Sequence, residues 1–380
     1  MRIGIEAQRI FRFKKHGMDM VALELLKALQ NLQVPHEFFV FVQDGPDRNC
    51  LPAAPNFNIV VLPSSSYAVW EQWHLPIALK KYKIDLLHCT SNTAPLFTKV
   101  PLVLTLHDII YLEVLNLKKG SSYQILGNIY RRLLVPKAVK KAKIILTVSN
   151  FERNCILSYF NMPSEIVRTV YNGYAAHFTE ILDASVLATA KVKYNLPNKY
   201  IFYLGNTDPK KNVLGVLQAI LTLIKAGKMP CKLLMLDINK DYLYKLISEL
   251  GDPHLLDHIC FAAYVPNTDL PAIYCQASLF LYPSLRESFG IPLIEAMACG
   301  VPIITSNTSS MPEIVGNAAV LCDPYNTNSI ADAIEKVMSN PLLQDDLRIK
   351  GKERVKQFSC LQNAQQTLKV YEEVFSLNKA

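Results

Sequence analysis

Arg286-Glu287-Ser288-Phe289-Gly290-Ile291-Pro292-Leu293-Ile294-Glu295-Ala296-Met297-Ala298-Cys299-Gly300-Val301-Pro302 is the stretch that decides the fold. Two carboxylates, Glu287 and Glu295, stand eight positions apart in it. Ahead of them, Leu279 to Pro283 is an apolar run of the kind that forms a buried parallel strand. Behind the first Glu, Pro292 fits the first turn of a helix that Gly300 ends. The loop between therefore joins the carboxyl end of a strand to the amino end of a helix. Anions and nucleotides bind at such junctions, because free backbone N–H groups meet the positive end of the helix dipole there. Read by itself, the stretch leaves one alternative open: a solvated loop Glu, and a first-turn Glu that only complements the dipole.

The same pattern of apolar strand and amphipathic segment recurs on both sides. In the first half, strands are expected at Ile3–Ala7, Glu37–Val42, Asn58–Leu62, Leu86–His88, Leu102–His107 and Ile144–Ser149. Helical spacing links them, as in Met20–Leu32, where Val21, Leu25, Ala28 and Leu32 recur every three or four residues. In the second half the strands fall at Tyr200–Gly205, Lys232–Leu236, Ile259–Ala262, Leu279–Pro283, Pro302–Thr305 and Val320–Cys322. Strands alternating with helices imply parallel sheets with right-handed crossovers. Patterning is weakest around Tyr171 to Lys199, where the linker is expected, and a final helix over Leu361–Phe375 would bury Ala364, Leu368, Tyr371 and Phe375 on one stripe.

A chain of 380 residues, half of them hydrophobic, suits two α/β domains rather than one core. Nine cysteines are scattered without a Cys-x-x-Cys pair; Cys231, Cys260, Cys275, Cys299 and Cys322 fall in apolar contexts and read as reduced core residues of a cytosolic protein, not as a disulfide or zinc framework. No amino-terminal signal is expected, and no window offers enough consecutive apolar residues to span a bilayer. The location expected is cytoplasmic, peripheral to the inner face of the membrane. Asn307-Thr308-Ser309 matches a glycosylation sequon by chance in such a chain.

The net charge of +8 is unevenly spread. Residues 1–180 carry 21 Lys and Arg against 13 Asp and Glu, whereas residues 181–380 carry 19 of each. The cations cluster at Arg12-Phe13-Lys14-Lys15, Lys80-Lys81-Tyr82-Lys83, Lys118-Lys119, and the run Arg131, Arg132, Lys137, Lys140, Lys141, Lys143. Either the first domain meets an anionic partner, such as a membrane surface, a lipid-pyrophosphate acceptor or nucleic acid, or it simply has a basic, soluble face.

Three further constellations carry chemistry. Tyr203-Leu204-Gly205-Asn206-Thr207-Asp208-Pro209-Lys210-Lys211-Asn212-Val213 ends a strand and opens a helix, offering amide groups and two cations to a diphosphate. Leu104-Thr105-Leu106-His107-Asp108 places a His at the end of a buried strand. His16-Gly17-Met18-Asp19-Met20 precedes the first long helix. No Gly-x-Gly-x-x-Gly follows a strand, which disfavours a nicotinamide cofactor, and neither a Gly-x-x-x-x-Gly-Lys-Ser/Thr loop nor an Asp-x-Asp pair occurs.

The Arg286–Pro302 stretch resembles the E-x7-E signature of the retaining, nucleotide-sugar-dependent glycosyltransferases of family 4 (glycosyl transferases group 1), mannosyltransferase-like members among them. Phe289-Gly290, Pro292, Glu295-Ala296 and Gly300-Val301-Pro302 stand in register with it, and the resemblance covers nearly the full chain. It implies an α/β fold of two facing Rossmann-like domains (GT-B) with parallel sheets. The first domain would span 1–175, the nucleotide-sugar-binding domain 176–360, and a helix at 361–380 would cross back onto the first domain.

The resemblance also distributes roles. Lys211 matches the diphosphate-binding Lys, with Lys210 beside it; Asn206 stands where many members have Arg, and Arg286 is a candidate substitute. Glu295 is expected on the ribose hydroxyls, and Glu287, with Lys211 and His107, in the catalytic set. Glu287 and His107 would face the sugar. Ser288, Phe289 and Gly290 would line the donor, Gly17 would offer its amide to the phosphate, and Tyr264-Val265 would hold the base. Asp19 replaces the family's second glycine and is assigned to the acceptor.

The function implied is retaining, metal-independent transfer from a nucleotide diphosphate sugar, GDP-mannose being the candidate, to a glycan or lipid-linked acceptor in surface-polysaccharide assembly. No cofactor, no metal and no nucleic acid are expected, and an anionic membrane surface is the further partner. The alternatives are a nucleotide-sugar epimerase or sugar phosphorylase on the same architecture, or a non-catalytic protein that binds anionic surfaces.

Overall fold

Short, wholly apolar runs are stable as strands only when both faces are covered, which is the situation of a parallel sheet flanked by helices. The computed structural model describes residues 1–64, 66–113, 122–180, 183–236, 238–262 and 264–378, without the side chains of 122–125. It divides into two compact units: Met1–Gly173 with Ser359–Ala380, and Tyr174–Phe358. The divisions fall at 173/174 and 358/359, where the sequence suggested 175/176 and 360/361.

The first unit is built on β1 (Arg2–Glu6), β2 (Glu37–Val42), β3 (Phe57–Val61), β4 (Leu86–Cys89), β5 (Leu102–Thr105), β6 (Ile144–Thr147) and β7 (Val167–Thr169). They form one parallel sheet in the order β3-β2-β1-β4-β5-β6-β7. Its helices are α1 (Gly17–Asn31), α2 (Tyr67–Val69), α3 (Leu75–Lys81), α4 (Ile110–Glu113), α5 (Ser122–Lys141) and α6 (Asn150–Phe160), and a π turn, Trp70–His74, joins α2 to α3. The second unit holds β8 (Tyr200–Tyr203), β9 (Lys232–Leu236), β10 (Ile259–Ala262), β11 (Leu279–Tyr282), β12 (Ile303–Ser306) and β13 (Val320–Cys322) in the order β10-β9-β8-β11-β12-β13. Around them lie α7 (Ala184–Lys193), α8 (Val213–Lys225), α9 (Lys240–Leu250), α10 (Leu270–Gln276), α11 (Ile291–Ala298), α12 (Met311–Val315), α13 (Thr327–Met338) and α14 (Pro341–Arg354).

In both parallel sheets the strand order reverses once, at β1/β4 and at β8/β11. Such a switch point leaves a crevice outside the carboxyl ends of the two central strands, where ligands of open α/β sheets bind. The last helix, α15 (Cys360–Leu377), packs Ala364, Val370, Tyr371 and Val374 into the first unit's core with Leu23, Leu26 and Val103. Its buried stripe is rotated from the expected one. Ala364 and Tyr371 are buried as expected, Tyr371 bonding His88 of β4, but Thr367, Val370 and Val374 lie inside with them, and Leu368 and Phe375 are only half-buried.

Two elements escaped the sequence reading. β7 is three residues long and fully buries only Val167, and α7, in the expected linker, buries only Ala190. The nine cysteines are free thiols, and no described helix is long and apolar enough to cross a membrane. Of the basic clusters, Lys118-Lys119 lies outside the described residues.

Candidate active site

In the second unit, the charged loops meet at the β8/β11 switch point. After β8 the chain turns sharply at Gly205, where a Cβ would meet the Tyr203 ring at 2.3 Å, so only glycine fits beneath that ring. The sequence suggested that the two lysines open the following helix; instead they sit in a separate 3-10 turn, Pro209–Lys211, ahead of α8. Asn212 makes the break. It adopts φ 61, a left-handed conformation that Asn tolerates, and its Nδ2 donates to the Pro283 and Pro324 carbonyls at 3.1 and 2.8 Å. The Tyr203 hydroxyl donates to the Lys211 carbonyl at 2.7 Å, and Leu285 N–H to the Lys210 carbonyl at 2.7 Å. Two loops are thereby laced together at the sheet edge.

On that frame the Lys211 ammonium donates to the Tyr282 hydroxyl and to Glu287 Oε1, both at 2.7 Å, and sits 4.7 Å above the Tyr282 ring centre. Burial alone would raise the Glu287 carboxyl. The charges of Lys211 and Lys210, with hydrogen bonds from Lys211 and Tyr282, outweigh it and hold the group below its ordinary value. Glu287 is an anion at neutral pH. Its backbone is fixed too: its N–H donates to Ser309 Oγ at 3.0 Å, and its carbonyl accepts from Ser309 and from Ser310 Oγ, the latter at 2.9 Å.

Glu295 lies within α11, which starts after Gly290 (φ 94). Among the described residues, the Tyr274 hydroxyl at 3.2 Å is the donor to its carboxylate. Burial pushes the Glu295 carboxyl up to about 7, only partly opposed by that hydrogen bond. Two motif carboxylates thus sit in opposite electrostatic settings: one compensated by a cation, one poised at neutrality. Tyr282 feels both, and its hydroxyl is held neutral chiefly by burial.

In the first unit, a separate polar cluster gathers at the carboxyl ends of β1, β4 and β5. His107 is buried; its Nε2 donates to the Thr90 carbonyl at 2.9 Å and its N–H to Asn92 Oδ1 at 2.6 Å. A ring nitrogen against a carbonyl must carry the proton, so a neutral His107 keeps Nδ1 as an acceptor. Burial lowers its pKa, which keeps it neutral. Behind it, His88 bonds Tyr371 at 2.6 Å and Thr105 Oγ1 at 2.7 Å, and burial pushes it down to about 3. Glu6, at the end of β1, accepts the Gln8 and Thr90 N–H groups at 3.0 and 3.3 Å, and burial raises it to about 7.

The structure therefore brings Lys211, Lys210, Glu287 and Tyr282 into one neighbourhood, and Arg286, adjacent to Glu287 in the chain, is half-buried. Several expected residues turn out differently. Asn206 is exposed and its Oδ1 accepts the Asp208 N–H at 2.9 Å, so it caps the turn. Lys210 lies 3.8 Å from Asp208 Oδ2. Phe289 buries its ring against Phe358, 5.8 Å away, which leaves only its backbone for a ligand. Asp19, assigned to the acceptor, instead accepts the His16 N–H at 3.0 Å and pairs with Arg9 at 3.1 Å, as the capping residue of α1. Gly17 is exposed at the start of α1 with open space around it. Ser288 is half-buried, Tyr264 is exposed and Val265 buried beside it. No motif in the sequence pointed to Ser309 and Ser310 as the cradle of Glu287, or to Glu6.

Two parallel-sheet α/β units with charged loops at their switch points define the fold class of the two-domain glycosyltransferases. The structure is similar to sucrose-phosphate synthase from Thermosynechococcus elongatus, with a TM-score of 0.74 and 18% identity over 99% of both chains. It is likewise similar to HepE of Anabaena in complex with UDP and glucose, with a TM-score of 0.75 and 16% identity over 98% of this chain and 100% of that one. Residues 16–177 match the model of Glycosyltransferase Family 4 and residues 188–354 that of Glycosyl transferases group 1, and the chain belongs to this family. It is 33% identical to O-antigen chain mannosyltransferase B of Escherichia coli over 64% of each chain. It is 28% identical to O-antigen chain mannosyltransferase RfbU of Salmonella typhimurium over 72% of this chain and 70% of that one. The chain thus spans just under two thirds of the first of these relatives, and 28% of the length of the E. coli mannosyltransferase WbdA, to which it is 26% identical.

Proposed function

We propose that the chain is a retaining, metal-independent glycosyltransferase. It moves a hexose, mannose from GDP-mannose in our reading, to a glycan or lipid-linked acceptor in surface-polysaccharide assembly. The observation that carries this reading is the Lys211 ammonium, held 2.7 Å from both Tyr282 and Glu287 at the switch point. A diphosphate arriving there takes over Lys211, and the released Glu287 carboxylate turns to the sugar. When the bond from the anomeric carbon to the phosphate oxygen breaks, charge grows on the diphosphate and positive character on the sugar. Lys211, with Lys210 and the turn's amides, offsets the first without a metal, and Glu287 offsets the second. The acceptor hydroxyl attacks from the face the leaving group vacates, and its proton passes to the departing phosphate oxygen. Neutral His107 accepts a sugar hydroxyl at Nδ1. Glu295 accepts two hydrogen bonds from the ribose diol once ionised.

The mannose assignment draws on the relatives named as O-antigen mannosyltransferases. The excess of cations in residues 1–180 favours an acceptor presented on an anionic membrane. A thermal-shift panel of GDP- and UDP-sugars, followed by product analysis with EDTA present, tests the reading. A donor at a hundred times its Kd stabilises by about 2.7 kcal/mol. Transfer with retained anomeric configuration is expected. Stabilisation by no nucleotide sugar, or turnover without an acceptor product, would overturn the assignment.

A further inference from the structure

On the first unit, α3 and α5 lie against the same face of the sheet: Leu75 and Leu79 of one and Val135 and Val139 of the other share a core cluster with Leu87 and Leu104. Each leads from one parallel strand to another on that face, so the two helices run in the same direction. A surface helix ordinarily turns polar residues outward. These do not. The helical run from Tyr67 to Lys81 exposes Val69, Trp73 and Ile77, four residues apart, and then Lys80 and Lys81. Helix α5 exposes Leu126, Ile129 and Leu133, and then Lys137 and Lys140. Both stripes are apolar toward the carboxyl edge of the sheet and basic at the other end. The connection from β4 to β5 adds Phe97, 81% exposed, and is tied to both helices: Gln72 Nε2 donates to the Ala94 carbonyl at 3.0 Å and Lys141 Nζ to the Leu96 carbonyl at 2.5 Å.

The two stripes are fixed relative to each other. Glu71, wholly buried in the π turn, accepts hydrogen bonds from Tyr67 at 2.9 Å, Gln72 at 2.8 Å and Tyr130 of α5 at 2.6 Å, and from Thr93. With its oxygens so occupied, this carboxylate yokes α5 to the π turn and has no capacity left for a ligand. Charge is one-sided as well. Helix α5 contains no Asp or Glu, and the run from Tyr67 to Lys81 contains only the buried Glu71. Two in-plane helices with apolar outward residues, a lysine border and no outward acid match the chemistry of an anionic lipid surface, where amphipathic helices sink to the headgroup–acyl boundary. Not every cation of the Arg131–Lys143 run takes part. Arg131 stacks over Tyr111, and Lys141 is tied to backbone carbonyls, leaving Lys137, Lys140 and Lys143 outward.

We propose that this face is a bilayer-docking surface, with Trp73, Phe97, Leu126 and Leu133 inserted at the acyl boundary of an anionic membrane and the lysines on its phosphates. It gives structural form to the membrane-presented acceptor of the proposed function, yet it stands on the surface alone, and its failure leaves transfer to a water-soluble acceptor unaffected. The chain's two tryptophans make the test direct, since Trp70 is wholly buried and Trp73 is 68% exposed. Full-length protein is mixed with vesicles of phosphatidylglycerol and phosphatidylcholine carrying bromine on the acyl chains. Emission from Trp73 should shift to the blue and be quenched. Trp73→Phe should still float with the vesicles but show no quenching of the remaining Trp70. Trp73→Glu combined with Leu133→Glu should lower vesicle partitioning at least tenfold while melting at the wild-type temperature. Absence of quenching at saturating vesicles, or flotation of the double variant like wild type, would overturn the proposal. So would a face that instead mediates self-association, seen as an oligomer abolished by Leu133→Glu with no vesicle binding.

Discussion

Replacing Lys211 by Met should invert the acid dependence of the second unit's stability. The Lys211 and Glu287 side chains are 15% and 11% exposed and 2.7 Å apart. In the wild type Glu287 is held below its ordinary value, so its contribution is present above the unfolded-state value and is lost as pH falls through the folded one. Remove the ammonium and burial, the largest influence on this carboxyl, is opposed only by Lys210 and the Tyr282 hydroxyl. The folded-state value then rises above the unfolded one, and stability is greatest at acid pH and declines as pH rises. Stripping one partner from a buried pair costs 3–5 kcal/mol, and the residual exposure puts this pair at the lower end, about 3 kcal/mol at pH 7. For a unit of this size that is a fall of about 6–12 °C in the melting midpoint. Calorimetric melts of wild type, Lys211→Met, Glu287→Gln and the double variant between pH 5 and 8 measure it. The double variant, which leaves no unpaired charge, should recover most of the loss and show a coupling of about 2–3 kcal/mol. A Lys211→Met midpoint within about 2 °C of wild type, with an unchanged pH slope, would refute the reasoning.

Glu295→Gln should raise the donor KM and spare kcat, since ribose contacts are the same in substrate and transition state. In the wild type the donor KM should fall as pH rises through about 7, as Glu295 ionises; a flat profile would contradict this assignment. Glu6→Gln tests the opposite linkage. The folded Glu6 carboxyl is raised to about 7, so it stabilises below the unfolded value and loses that contribution as pH climbs toward 7. The glutamine variant should be flatter over that window, by up to about 3 kcal/mol, in melts at pH 5 and 8.

All the strands but β7 were legible as short, mainly apolar runs, and the switch-point loops because Gly205, Gly290 and Pro292 mark turns that only those residues make easily. Lys211 and Glu287 could be named as a pair only through the resemblance, since no spacing rule predicts a contact across 76 residues. What failed to show in the sequence is what depends on several distant segments at once. Glu71 reads as an ordinary helix-surface Glu, yet Thr93 and Tyr130 from two distant segments join Tyr67 and Gln72 of its own run as donors to it. Asn307-Thr308-Ser309 looked like a chance sequon, whereas Thr308 bonds the Leu285 carbonyl at 3.3 Å and Ser309 holds Glu287. Asp19 was read against a glycine pattern, but local capping geometry decides its role. The basic clusters gave the sign of the surface, and only the helical phase separates Lys137 and Lys140, which face outward, from Lys141, which does not.

The central claim, that Lys211 and Glu287 act on charge that appears only as the sugar leaves, is tested most directly by turnover. Steady-state kinetics of Lys211→Ala and Glu287→Gln, beside Lys210→Ala, should be measured with the best donor from the thermal-shift panel. The account predicts kcat falling about a hundredfold in the first two, about 3 kcal/mol each, as is typical when one preorganised charge-stabilising group is lost. Lys210→Ala should lose far less, since its ammonium acts from a distance and has Asp208 for a partner. Near-normal turnover and donor affinity in both Lys211→Ala and Glu287→Gln would contradict the account, reducing the pair to a structural clasp between two loops.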